Sequence, residues 1–259
     1  LLPRDRKIGV GSLDTANWQK LKTDMRPTTT ITFFRYSSLR QKIWAFGMMQ
    51  FAHAELRRTK GLSFYKLLGS GKGDGFHPLP DWSVYALLQV WETEEDAACF
   101  FQQSQLMEKY RAHSSERWTL YLRSTAAKGA WSGLNPFPPA TETDAENPYI
   151  AVITRATIRL RHLYRFWKYV PTSQKPLRDN AGLLFAKGIG EAPIVQMATF
   201  SLWKNAAALR AFAYQSAEHR AAIAQTQTLD WYAEELFSRF QPYRSVGTWG
   251  GKNPLPDFT

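Results

Sequence analysis

Gly61-Leu-Ser-Phe-Tyr-Lys-Leu-Leu-Gly69 and Gly182-Leu-Leu-Phe-Ala-Lys-Gly-Ile-Gly190 share one skeleton, G-L-x-F-x-K-x-x-G. Each is a short apolar run bounded by glycine and reads as a strand, and its recurrence says that the chain carries this strand twice. The first copy runs on into Gly69-Ser-Gly-Lys-Gly-Asp-Gly-Phe76, which raises the question of a phosphate loop. Such a loop needs G-x-x-x-x-G-K-[ST] followed by a helix whose N-terminus meets the anion. Here Lys72 is followed by Gly73, and the next ordered run, Ser83-Val-Tyr-Ala-Leu-Leu-Gln-Val-Trp91, is strand-like. The second copy continues as Glu191-Ala-Pro193 without a glycine cluster. The skeleton is therefore architectural, and the extra glycines form a turn between strands.

Outward from this strand the repeat extends both ways. Ile31-Thr-Phe-Phe-Arg-Tyr36 and Ala151-Val-Ile-Thr-Arg-Ala156 are strand-like and align Arg35 with Arg155. Each leads into a basic, aromatic, helix-like segment, Leu39 to Leu56 and Leu160 to Val170. After the shared strand come Tyr85–Trp91 and Met197–Trp203, with their tryptophans 112 positions apart. Alanine-rich helices are predicted next, Glu94 to His113 and Asn205 to Thr226, then strands led by Trp118 and Trp231. The copies close on Gly129-Ala-Trp-Ser-Gly133 and Gly247-Thr-Trp-Gly-Gly251.

The order β-α-β-β-α-β, twice, is the ferredoxin-like unit. Its helices cover one sheet face only, so two such sheets are expected to pair through their bare faces. The expected fold is α+β: two tandem ferredoxin-like (βαββαβ) repeats forming a fused α+β barrel of the dimeric type. The repeats span 28–134 and 149–252, joined by the proline-rich, acidic linker 135–148, with an N-terminal tail or cap over 1–27 and a C-terminal tail over 253–259. The linker's prolines exclude regular helix or central strand.

The 259 residues are 44% hydrophobic and 14% aromatic, enough for a substantial core. The net charge of +11 makes nucleic acid, an anionic membrane surface or a carboxylate-bearing cofactor plausible partners. No apolar run reaches the length of a membrane span and the start lacks a signal-peptide core, so the cytoplasm is the expected compartment. Cys99 is the single cysteine, which excludes an intrachain disulfide, and its apolar setting Ala97-Ala-Cys-Phe-Phe101 predicts a small core residue.

Differences between the copies point to chemistry. The 112-residue offset aligns His219 with Met107, and Phe212, Ser216, His219 and Ile223 share one face of a helix. The imidazole there is either a buried histidine satisfied by a carbonyl or a ligand for metal or haem. His53, His77, His113 and His162 fall in no H-E-x-x-H or triad pattern. Phe185 and Lys187 leave one strand face, as do Phe64 and Lys66. Lysines so placed either snorkel past the barrel end, the favoured reading, or meet an anion. Arg155 with Lys187, on neighbouring strands, could bind haem propionates or steady bound oxygen.

Several separated segments resemble one family. Arg40-Gln-Lys-Ile-Trp-Ala-Phe46, Gly61 to Gly71, Gly129 to Gly133, Ile153-Thr-Arg-Ala-Thr-Ile-Arg159, Phe185-Ala-Lys-Gly-Ile-Gly-Glu191 and Trp231 to Phe240 are similar, in order, to the spheroidene monooxygenase family of carotenoid ketolases. The resemblance covers about residues 30–251. It implies a haem b monooxygenase inserting oxygen into an apolar polyene, supplied by an external electron donor such as ferredoxin. The net charge leaves a peripheral position at the membrane open beside the cytoplasm. By analogy with haem proteins of related barrels, His219 would hold the iron, with Phe212, Ser216, Ile223 and Phe185 around the cofactor and Arg155 and Lys187 as catalytic groups. A smaller natural-product substrate undergoing dehydration or nitrogen chemistry is the alternative. A basic binding module is the other, but nucleic acid is disfavoured because neither copy carries the RNA-binding aromatic pattern.

Overall fold

A computed structural model of the chain describes residues 27–73, 77, 79–140, 142–173, 180–192, 194–215, 231–255 and 258. In the first copy the elements are β1 (Thr28–Arg35), α1 (Leu39–Phe51), a helical turn His53–Leu56, β2 (Leu62–Gly71), β3 (Pro80–Trp91), α2 (Glu94–Gln103), α3 (Gln105–His113) and β4 (Glu116–Gly129). The second copy follows with β5 (Ile150–Ile158), a 3-10 turn Leu160–His162, α4 (Leu163–Ser173), β6 (Leu183–Ala192), β7 (Gln196–Trp203), α5 (Ala206–Gln215) and β8 (Tyr232–Gly247). The strands close in the order β1-β3-β2-β6-β7-β5-β8-β4. This is two ferredoxin-like sheets, β4-β1-β3-β2 and β8-β5-β7-β6, sealed into one barrel as the repeat implied.

Packing explains the closure. Inward residues of both sheets make one core, in which Phe33 of β1 meets Phe185 and Phe200 of the other copy with ring centroids 5.0 and 5.5 Å apart. The two seams differ. β4 and β8 pair along their length, from Trp118↔Gly247 to Gly129↔Leu236. At the other seam β2 and β6 share only Gly69↔Gly190 and Ser70↔Ile189.

The closing signatures cross between copies. Beyond β4, Ala130 N–H donates to Glu235 O, and beyond β8, Thr248 N–H donates to Arg117 O. Gly129 and Gly247 make these crossings with φ of 100° and 92°, and a Cβ there would lie 2.1 Å from Glu235 O or 2.3 Å from Arg117 O. Only glycine tolerates both demands. Trp131 and Trp249 thereby cap opposite ends of the barrel, each supplied by one copy and in contact with both. The linker joins the core too, since Phe137 packs edge-on against Phe240 at 4.9 Å.

Three local expectations are corrected. The helix read over Glu94 to His113 breaks at Ser104, whose hydroxyl accepts from Leu106 and Met107 N–H and donates to Glu55. A side chain able to cap competes with helix continuation. In the second copy α5 is described over Ala206–Gln215, and the rest of the helix read to Thr226 lies outside the described residues. The helix read over Leu39 to Leu56 likewise divides after Phe51. Cys99 is exposed, because the helix turns Ala97 and Phe100 inward and leaves position 99 outward.

Candidate functional site

Inside the barrel the charges are matched. At the Trp131 end, Lys66 Nζ donates to Glu191 at 2.5 Å and to Ser132 Oγ at 2.7 Å. Trp131 Nε1 donates to the other Glu191 oxygen at 2.6 Å. Arg155, 3% exposed, pairs with Glu234, lies 3.9 Å from Glu191 and sits 5.7 Å from the Trp131 ring centre. Glu234 also accepts the amides of Ser132 and Gly133 at 3.1 and 2.7 Å. Burial pushes its carboxyl up, but those amides and the Arg155 guanidinium outweigh burial and hold it below the usual range.

The Trp249 end repeats the plan. Arg35 lies 4.2 Å from the Trp249 ring centre and pairs with Glu116 at 2.8 Å, while Lys187 pairs with Asp81 at 2.9 Å. Burial raises the Glu116 carboxyl, and the amides of Gly251 and Gly250, Arg35 and the Thr248 hydroxyl together depress it below normal. Arg35, Asp81, Phe185, Lys187 and Trp249 border an open cavity of about 800 Å³.

These contacts revise the reading of the basic residues. Both lysines meet protein carboxylates rather than snorkelling, since a charge this far inside must be paired. Arg155 and Lys187 do not stand on neighbouring strands, because β7 lies between β5 and β6, and they join clusters at opposite ends. Nor is Arg155 the register equivalent of Arg35. Phe33 pairs with Trp118 and Ala86, and Arg155 pairs with the corresponding Leu236 and Ala198, so Arg155 occupies the layer of Phe33. The two-residue shift keeps the side chain on the same face but one layer deeper.

The outer faces, under the helices, tell the copies apart. Phe34, Tyr65, Leu67, Tyr85, Leu87 and Gln89 form the first sheet's outer face; all but Tyr65 are buried. By strand register their counterparts are Ala156, Ala186, Gly188, Met197, Thr199 and Ser201. Each is smaller, and the second sheet presents a floor nearly free of bulky side chains, with Thr154 exposed in its middle. Only the β3–β7 exchanges follow the offset that aligns His219 with Met107; the β1–β5 and β2–β6 counterparts lie ten and nine positions further apart and emerge from the strand register.

Phe212 packs on Trp203 at 5.2 Å, as Phe100 packs on Trp91 at 5.1 Å, so it belongs to the repeated scaffold beside this floor. Phe185, Arg155 and Lys187 lie on the other side of the sheet, within the barrel. Ser216, His219 and Ile223 lie outside the described residues. Met107, which aligns with His219, is buried against the first sheet. Where the short seam joins β2 to β6, an apolar cavity of about 270 Å³ is lined by Phe46, Met49, Trp82 and Ile194, and by Gly188 and Met197 of the floor.

A barrel closed by two ferredoxin-like halves of one chain, with smaller side chains on the outer face of its second sheet, defines a fused dimeric α+β barrel protein. The same fold is found in a solved aldoxime dehydratase, with a TM-score of 0.60 at 11% identity, covering 92% of this chain and 89% of that one. A second aldoxime dehydratase structure, in complex with butyraldoxime, also gives a TM-score of 0.60, at 10% identity over 91% and 87% of the two chains. No family model matches the chain. Spheroidene monooxygenase of Rhodobacter capsulatus is 35% identical over 231 residues, 88% of this chain and 95% of that protein. The enzyme of the same name from Rubrivivax gelatinosus is 33% identical over 211 residues, 82% and 80% of the two. The chain belongs to the spheroidene monooxygenase family.

Proposed function

We propose that the protein is a monooxygenase that inserts one oxygen atom from O2 into an apolar polyene of the carotenoid class, with haem b on the outer face of the second sheet and electrons from an external donor such as ferredoxin. The relatives' names support the reaction class and substrate. The observation that carries the location is the exchange of six outer-face side chains for smaller ones. A flat tetrapyrrole needs a slot whose floor is free of bulk, and Ala156, Ala186, Gly188 and Thr199 supply one. Haem, when bound, supplies the activation of O2.

The remaining work falls to the chain. His219 is the proposed iron ligand, by the offset that aligns it with Met107, which is buried against the first sheet. The seam cavity, with Phe46, Trp82 and Ile194 at its wall and Gly188 and Met197 shared with the floor, would hold the polyene and keep water from it. Arg155 and Lys187, already neutralised by Glu234 and Asp81, serve as positioning residues that fix the barrel ends behind the floor.

The test is purification with haem, followed by spectra of the oxidised, reduced and carbon monoxide-bound forms, and turnover of a carotenoid under labelled O2 with a reduced ferredoxin. A haem spectrum and label from the gas are expected. Initial incorporation solely from water, with ketone exchange controlled, would overturn the monooxygenase reading.

A further inference from the structure

We propose that the β2–β6 seam side of the molecule docks on an anionic lipid bilayer, placing the seam cavity at the membrane surface. This rests on the apolar-substrate reading but stands on separate observations. The outward face of a surface helix normally carries charge. On α1 that face carries Leu39, Ile43 and Phe46, spaced four and three residues apart, with Ile43 64% exposed. Across the seam Leu160 and Tyr164 are exposed at 73% and 82% in the 3-10 turn and α4. Two independent helices therefore offer large apolar side chains to solvent.

Contacts place both on the same side. Phe46 and the exposed Trp82 meet edge-on at 5.3 Å on the wall of the seam cavity. From the other side Trp167 Nε1 donates to Ile194 O, whose residue lines the same cavity. The charge complements this surface. α1 contains Arg40 and Lys42, the 3-10 turn and α4 contain Arg161, Arg165 and Lys168, and neither segment holds an acidic residue. The carboxylates bordering the cavity, Asp81 and Glu191, are already engaged by Lys187 and Lys66. Apolar side chains flanked by lysine and arginine match the boundary between acyl chains and anionic headgroups, where burial and electrostatic attraction act together. A polyene dissolved in the bilayer would then reach Gly188 and Met197 through the seam without crossing water.

The experiment is flotation of the full chain with vesicles of phosphatidylcholine and phosphatidylglycerol, and with phosphatidylcholine alone, at low and high salt. Binding to the mixed vesicles, weakened by salt, is expected. The double variant Ile43→Asp/Tyr164→Asp should bind roughly tenfold or more weakly, since each apolar anchor is replaced by a charge that anionic lipid repels, with an unchanged circular dichroism spectrum. If that variant fails to fold, Ile43→Ser and Tyr164→Ser singly should each weaken binding. No binding at low salt overturns the proposal, as does a variant that binds like the parent. A concentration-dependent dimer abolished by the same substitutions, without vesicle binding, would instead assign the face to a second copy. Neither haem nor carotenoid enters the assay, so failure here leaves the oxygenase reading standing, and vesicle binding without polyene turnover would sink that reading alone.

Discussion

The inner faces of the two sheets follow one plan of paired charges, with Arg155 one layer deeper than Arg35, whereas the outer faces follow different plans. Inside, each contributes an arginine, a lysine and a tryptophan cap to matched carboxylates, because a closed barrel tolerates no unpaired charge. Outside, the first sheet is packed by Phe34, Leu67, Tyr85 and Leu87 beneath its helices, whereas the second offers Ala156, Gly188, Met197 and Thr199 at the same places. Closure constrains the inner face of both copies equally; each outer face meets only its own helices and can change alone. The asymmetry teaches where a repeat can acquire function without losing its fold.

The strongest way to break this comparison is at the aligned pair His219 and Met107. His219→Ala should abolish haem retention, read as loss of the absorption band. Met107→Ala should keep the haem and instead lower stability by about 2–5 kcal/mol in denaturant unfolding, the usual cost of emptying a buried methionine site. Equal haem loss in both variants would remove the functional distinction between the two faces.

Next comes restoration of the first sheet's bulk on the second. Ala156→Phe or Gly188→Leu should cut haem occupancy roughly tenfold or more while leaving far-ultraviolet circular dichroism intact, since overpacking of about 1–3 kcal/mol falls on the slot. The reverse change, Phe34→Ala, should cost about 3–5 kcal/mol of stability through a cavity in a filled layer, with haem unaffected.

The inner faces give a smaller and symmetrical effect. The carboxyls of Glu234 and Glu116 are held below their ordinary value of 4.5 in the folded protein. Their stabilisation is thus fully present above that value and is lost as pH falls through the lower folded value. Glu234→Gln and Glu116→Gln should each flatten the fall in stability below about pH 4.5 and should do so alike, as seen in urea midpoints measured across pH. The smallest effect expected is at the half-exposed Arg35–Glu116 pair, where a double-mutant cycle should yield a coupling below about 1 kcal/mol. A larger value there than between Arg155 and Glu234 would contradict the deeper placement of Arg155.

Much of this was legible before any coordinates. The G-L-x-F-x-K strands and paired glycine-tryptophan closures specify two ferredoxin-like units because a repeated local pattern needs only nearest neighbours to be read. The break at Ser104 was not, since it depends on Glu55 arriving from another helix to share the cap. Aligning Arg35 with Arg155 was a natural reading of two similar strands, yet strand pairing displaced one by two residues, and pairing is a long-range choice.

The sequence by itself determined the element order, the pairing of two like halves and the family, because these follow from local patterning and from residues kept in order along the chain. The tertiary structure alone decided which lysine meets which carboxylate, which tryptophan closes which end, and which face of the second sheet carries the smaller side chains. Each of those is a contact between segments far apart in the chain, and no local periodicity encodes which distant partner a side chain will meet once the barrel has closed.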